Sequence, residues 1–328
     1  MKSAVSVRPS FRWQLALTVS ITVAVLALLF YDNDFDRYLA AVSGAEPSWL
    51  LSGAVMVVVL GVLRAWRLAA AIEYPLQPIF LRISLFHNFV TMVSPARIGE
   101  IAMPILLQRA GYRRPASAAG VLVVLRLLDL LSVLAVGGFA TGLTAFEDPA
   151  YDWLNELGWW TGSLALGGFV VLPLVPGLIG AVFPPIGAPS SSRWIGAIRS
   201  LVTSARTCLV PRLYLRLVLF SLTALVSMLL VHYFCARAVS AAPSLAGTVV
   251  ASTAAILVFT LPINGIGGLG PVQAAWSLAL SAQGVVWETA LTAGFLMYIV
   301  SLVVSGLMTG IANLLVPPGT SNMHNETT

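Results

Sequence analysis

Charge is what this sequence has least of. Asp, Glu, Lys and Arg together make up 9% of 328 residues, against 58% that are hydrophobic. A water-soluble domain carries roughly a quarter charged residues to face solvent, so a soluble enzyme is excluded. Cysteine is nearly missing too. Cys208 and Cys235 are the only two; they fall on opposite sides of the topology derived below and are not expected to pair. No cluster of His, Cys, Asp and Glu has metal-ligand spacing, so neither a metal nor a cofactor is expected. The net charge of +5 is not gathered into one aromatic-laced basic patch, which argues against a nucleic-acid partner.

Long apolar runs are what the chain has in abundance. Crossing the hydrocarbon core takes roughly 20 apolar residues, and six stretches qualify: 12–31, 48–71, 115–143, 158–182, 213–239 and 286–315. The first is longer than a signal-peptide core. The acidic stretch Asp32 to Asp36 separates it from the small-residue site Ala40 to Ala45, so it is expected to be a retained membrane helix.

Two stretches, 77–110 and 245–282, break the pattern. In the first, two short apolar arms flank Ser94-Pro95-Ala96-Arg97-Ile98-Gly99-Glu100; in the second they flank Pro262 to Pro271. Broken backbone at membrane depth is tolerated where it is buried in protein or lines a wet cavity, and re-entrant hairpins fit. The predicted fold is an all-α integral membrane protein with about six full transmembrane helices plus two re-entrant helical hairpins in an inverted repeat. The first repeat spans 12–143 and the second 213–315. Between them lie a connecting helix at 158–182 and a cytoplasmic loop at 183–212; residues 316–328 form a disordered tail.

The inversion follows from charge. Arginines lie before the first span, between 64 and 114 (Arg64 and Arg67 included) and in the loop after 182. The loops after 31 and after 143 are acidic. Positive flanks face the cytoplasm, which places both termini in the cytoplasm and the protein in the inner (cytoplasmic) membrane of the cell. The two hairpins then enter from opposite sides. Inverted repeats with broken helices are the pattern of alternating-access transporters. Residues 192–212, apolar positions among arginines, fit an amphipathic helix lying on anionic lipid.

Few residues in the spans carry chemistry. Arg126 and Asp129 share a helix face, and at about 1.5 Å per residue Arg126 sits roughly 15 Å deep. Ionisable groups at that depth face an interior or a polar cavity. The pair reads as part of a substrate site or as a buried structural ion pair. Arg97, Gly99 and Glu100 open the second arm of the first hairpin, where helix N–H groups and a guanidinium suit phosphate; capping the hairpin tip is the plainer role. Asn264, Gly265, Gly267, Gly268 and Gly270 are the counterpart, a backbone nest for an anion or a close-packing turn. His87, Asn88 and Gln273 are candidates to line the path. His232 with Tyr233, and Trp153, Trp159 and Trp160, read as an interfacial belt. Nothing has the arrangement of nucleophile, base and orienting group, so no catalysis is expected.

Pro95-Ala96-Arg97-Ile98-Gly99-Glu100, Arg126-Leu127-Leu128-Asp129, Leu261-Pro262 and Gly267-Gly268-Leu269-Gly270, in this order and spacing, resemble the lysylphosphatidylglycerol synthase transmembrane region, over about residues 12–316. The resemblance implies a stand-alone flippase that moves a phospholipid or polyprenyl-phosphate-linked glycolipid head between leaflets, with the two hairpins forming the central cavity. An acid commonly stands where this chain has Leu125 and Gln273, so the resemblance implies an anionic substrate rather than a cationic aminoacyl lipid. No synthetase domain accompanies these residues, and no aminoacylation is expected of them. The partners so implied are the lipid or lipid-linked sugar, anionic lipid at the cytoplasmic surface, and a glycosyltransferase. A membrane glycosyltransferase and a small-solute or ion transporter are the rival readings.

Overall fold

The computed structural model describes residues 35–94, 99–112, 115–146, 149–175, 202–241, 243–261 and 268–316, with scattered positions from 20 to 29. Those scattered positions are helical, and the rest of the predicted first span lies outside the described residues. Among the described residues all regular structure is helical: α1 (Phe35–Ser43), α2 (Pro47–Ala71), α3 (Pro78–Val93), α4 (Ala102–Arg109), α5 (Pro115–Leu143), α6 (Trp153–Val171), α7 (Pro211–Ala238), α8 (Leu245–Thr260), α9 (Pro271–Ser281) and α10 (Trp287–Leu315). Proline opens α2, α3, α7 and α9, where its fixed φ suits the first turn and its missing N–H costs nothing. Ser244 opens α8 by accepting from Gly247 N at 2.9 Å, a side-chain cap.

Five helical stretches are long and apolar enough to cross a membrane, built on α2, α5, α6, α7 and α10; α3 and α8 are apolar but shorter. The protein is thus a multi-pass, all-α membrane protein. One boundary differs from expectation. The span predicted at 158–182 begins at Trp153, and its helix gives way to a tight turn at Leu172–Leu174. Asn155 explains the early start: its Nδ2 donates to the carbonyls of Thr141, Gly142 and Thr144, the last at 2.8 Å, so a polar residue is satisfied inside an apolar helix. α6 then lies against α5 on glycines. A Cβ on Gly138 would fall 2.5 Å from Gly162 N, and one on Gly158 the same distance from Gly142 N. Small residues four apart on both helices allow this backbone contact.

The remaining helices pack in corresponding ways. α5 rests on α8 as α10 rests on α3, α5 on α7 as α10 on α2, and α4 on α5 as α9 on α10. α2 and α7 pack against each other along much of their length. α3 and α8 have 16 residues each, α5 and α10 have 29 each. Arg82 ties α3 to the end of α10, donating to Asn313 Oδ1 at 2.7 Å and to the Val316 carbonyl at 3.1 Å.

Two large apolar cores result, beside a smaller cluster of Leu29, Tyr38 and Leu291. One joins Leu68, Phe80, Leu107, Val121, Leu128 and Leu217; the other joins Val57, Val231, Trp276, Leu280 and Met297. Cys208 belongs to the first and Cys235 to the second. Residues 202–208 form a helix seated on the first core: Ser204 and Cys208 are buried, and Cys208 Sγ donates to the Ala71 carbonyl at 3.6 Å. Arg206 faces outward. Residues 192–201 of the predicted amphipathic segment lie outside the described residues.

Candidate functional site

A cavity of about 630 Å3 opens between the two cores, lined from α2, α3, α5, α7, α8, α9 and α10 and by Glu100. That volume lies within the roughly 300–1,000 Å3 range of ligand pockets. Much of its wall is leucine, valine, alanine and methionine. Along α5 it is open: Val123, Leu127 and Leu130 line it and are 45%, 39% and 39% exposed.

One wall is charged. Arg67 on α2 grips Asp129 on α5, Nη1 on Oδ1 and Nη2 on Oδ2 at 3.1 Å, and Nη1 also donates to Ser221 Oγ on α7 at 2.9 Å. Arg126 reaches Asp129 Oδ2 at 3.4 Å and Glu100 through Nη2, 2.8 Å from Oε1 and 2.9 Å from Oε2, and through Nε at 3.2 Å. His87 closes the series. Its Nδ1 is 3.2 Å from the Gly99 carbonyl, and its Nε2 is 3.4 Å from Arg126 Nη2. A carbonyl only accepts, so Nδ1 carries the proton and Nε2 accepts from Arg126. The order is Arg67, Asp129, Arg126, Glu100, His87, with signs alternating and a neutral imidazole at the end. Alternation of this kind satisfies charges held away from water.

Gly99 has a definite role in this wall. A Cβ there would lie 2.6 Å from Thr91 Cα and N, so only glycine brings the turn before α4 against α3 and places Glu100 below Arg126.

Arg64 stands apart from the series. It lines the cavity with Nη2 4.0 Å from Met228 Sδ, and among the described residues it makes no ion pair. Among the described residues the cavity lining thus holds two guanidinium groups, Arg64 and Arg126, and two carboxylates, Glu100 and Asp129, with Arg67 buried behind Asp129.

The opposite wall is polar without charge. Gln273 on α9 is fully buried; its Oε1 accepts from Gly270 N at 2.8 Å and its Nε2 has no partner among the described residues. His232 holds Ser252 Oγ at 2.9 Å and meets Trp276 edge-on. Tyr298, Ser301 and Ser305 line the cavity from α10. Gly268 and Gly270 have φ of +78° and +94°, a conformation glycine supplies to let the chain turn into α9.

The structure brings Glu100, Arg126, Asp129 and Gln273 to one cavity, with Gly99, His87 and Gly270 directly behind them. Asn88 is half-buried and does not line it. Arg97, Asn264, Gly265 and Gly267 lie outside the described residues. Two expectations are corrected. Arg64 and Arg67 were counted among the inner-side flanking arginines of the span at 48–71; α2 ends at Ala71 as expected, but Arg64 lines the cavity and Arg67, 5% exposed, is buried against Asp129 and Ser221. His232 was assigned to an interfacial belt; it lines the cavity instead, anchored through Nδ1 to Ser252 Oγ and packed edge-on against Trp276. The missed signal was spacing: Val57, Leu60 and Arg64 share one helical stripe, and four apolar residues follow Leu68.

Fold and site together define a polytopic helical membrane protein with a central cavity, charged on one wall and open along one flank. Its family is that of the lysylphosphatidylglycerol synthase TM region, whose model matches residues 13–308, and the chain belongs to it. Among curated proteins, none matches.

Proposed function

We propose that this protein carries a lipid with an anionic, phosphate-bearing head between the leaflets of the cytoplasmic membrane. Arg64 carries the reading: it is a guanidinium at the cavity surface beyond those that Asp129 and Glu100 engage. A guanidinium held in an apolar cavity suits a phosphate. The apolar walls and the opening along Val123, Leu127 and Leu130 favour a lipid over a water-soluble solute, since acyl chains can stay in the bilayer while the head enters.

In this reading the helices from α2 to α5 and from α7 to α10 are inverted repeats, with α3/α4 and α8/α9 as re-entrant hairpins. Alternating access arises as one repeat rocks against the other. Both termini are cytoplasmic, the surface arginines sit on anionic lipid, and no covalent chemistry is performed on the lipid. A glycosyltransferase that makes or consumes the carried lipid is the expected partner.

The test is translocation of a fluorescent phosphatidylglycerol in proteoliposomes. Arg64→Gln should slow it about tenfold, the scale of one lost charge-assisted hydrogen bond. Arg64→Lys should restore only part of the rate, because an ammonium does not reproduce the fork. Full activity of Arg64→Gln would reject the reading.

A further inference from the structure

We infer that the uncharged wall is a hydroxyl-recognising subsite built from Tyr298, Ser301 and Ser305, and that the carried lipid bears an uncharged polyhydroxylated head on its phosphate. This rests on the phosphate reading of the arginine wall and adds the chemistry of what the phosphate carries.

The two walls occupy matching positions. Counted from the first residue of each helix, Arg126 is twelfth in α5 and Tyr298 twelfth in α10; Asp129 and Ser301 are both fifteenth. Arg64 is eighteenth in α2 and Met228 eighteenth in α7, and these two side chains touch, Nη2 to Sδ, at 4.0 Å. Where one half places charge, the other places phenol, hydroxyl and thioether. A bound head spanning the cavity thus meets guanidinium on one side and neutral hydrogen-bonding groups on the other.

Those neutral groups are unspent. Several hydroxyls in these helices bond the carbonyl four residues back, as Ser132 to Leu128 at 2.7 Å, Thr253 to Val249 at 2.8 Å and Thr292 to Glu288 at 2.8 Å, while the hydroxyls of Ser277, Ser281 and Thr309 are buried out of reach of the cavity without a partner among the described residues. Tyr298, Ser301 and Ser305 line the cavity yet make no hydrogen bond among the described residues. Gln273, fully buried behind them, spends its Oε1 on Gly270 N.

The wall also rejects a cation. Its polar members are amide, phenol and hydroxyl, and the two carboxylates that line the cavity are engaged by Arg67 and Arg126. An ammonium would find no unengaged counter-charge there and two guanidiniums opposite. Sugar or glycerol hydroxyls, which donate and accept, match these side chains.

The test is competitive lipid binding to the purified full-length protein, read by native mass spectrometry. The probes are phosphatidylglycerol, phosphatidylmethanol (the same phosphodiester without hydroxyls), phosphatidylethanolamine and water-soluble glycerol phosphate. Phosphatidylglycerol should be retained about tenfold better than phosphatidylmethanol, the scale of one or two neutral hydrogen bonds, with phosphatidylethanolamine weakest. The triple variant Tyr298→Phe, Ser301→Ala, Ser305→Ala removes only hydroxyls without partners among the described residues and should bring phosphatidylglycerol down to the phosphatidylmethanol level, leaving phosphatidylmethanol unchanged. Equal binding of the two lipids by the unaltered protein, or a triple variant that weakens both alike, would overturn the subsite. Displacement of phosphatidylglycerol by glycerol phosphate at equal concentration would overturn its assignment to a lipid. Phosphatidylmethanol binding that ignores Arg64→Gln would strike the phosphate reading instead.

Discussion

Arg67 and Asp129 join α2 to α5 through a two-pronged guanidinium–carboxylate contact, and Ser221 on α7 shares the same guanidinium nitrogen. The Arg67 side chain is 7% exposed and that of Asp129 30%. This pair is the structural floor on which the rest of the charged wall stands.

Arg67→Ala should therefore fail through folding. Asp129 would keep only the longer contact with Arg126, at 3.4 Å, and Ser221 would lose its donor; breaking a buried pair costs about 3–5 kcal/mol when nothing else compensates, and the loss here should approach the lower end. Heating detergent extracts and following the monodisperse peak by fluorescence-detected gel filtration should show a large loss of thermal tolerance. Arg67→Met combined with Asp129→Leu should recover most of it. An unimpaired Arg67→Ala would show that the pair contributes nothing.

Arg126→Ala should behave differently. Asp129 keeps Arg67, so the fold survives, while Glu100 loses its two-nitrogen contact with Arg126. Translocation should fall about tenfold or more, the scale of a lost charge-assisted contact, at near-normal yield. If Glu100 is only the structural partner of Arg126, then Arg126→Ala with Glu100→Gln will translocate at the full rate, and both residues leave the site. The compensating position is Glu100, since removing Asp129 would strand Arg67.

The α5–α6 contact depends on glycine backbone approach. Gly138→Leu would force a side chain into Gly158 and Gly162, where even a Cβ falls 2.5 Å from Gly162 N. Overpacking costs about 1–3 kcal/mol, so thermal tolerance should fall. Gly167→Leu, where a Cβ meets nothing within 4 Å, should leave it unchanged. Equal effects would mean that α6 does not depend on this seam.

Topology is checked with single cysteines. Ser43, Asp152 and Arg109 are exposed, and the native Cys208 and Cys235 are buried and should stay silent. In intact cells an impermeant maleimide should label Ser43→Cys and Asp152→Cys but not Arg109→Cys. Labelling at position 109 from outside would reverse the proposed orientation.

The helices were legible because their causes are local. Uninterrupted apolar runs fix length, and prolines at residues 47, 78, 211 and 271 mark first turns; the span at 115–143 matches α5 to the residue. The start of α6 was not legible, because Asn155 reads as a loop residue until the carbonyls of α5 that accept from it are known. Arg126 and Asp129 could be singled out from depth alone, as could Glu100 from its place at a break.

Composition and periodicity determined that this chain is a helical membrane protein with ionisable residues at depth, since solvation by lipid acts on every residue independently of its distant neighbours. Which charges meet was decided only by tertiary structure. Arg67 pairs with Asp129, 62 positions away, and Arg64 faces Met228, 164 away, because helix crossing sets their contact. One sequence stripe reads alike whether it faces lipid, cytoplasm or cavity. Only packing against α5 and α7 turned two arginines that resemble a cytoplasmic flank into the wall of the site.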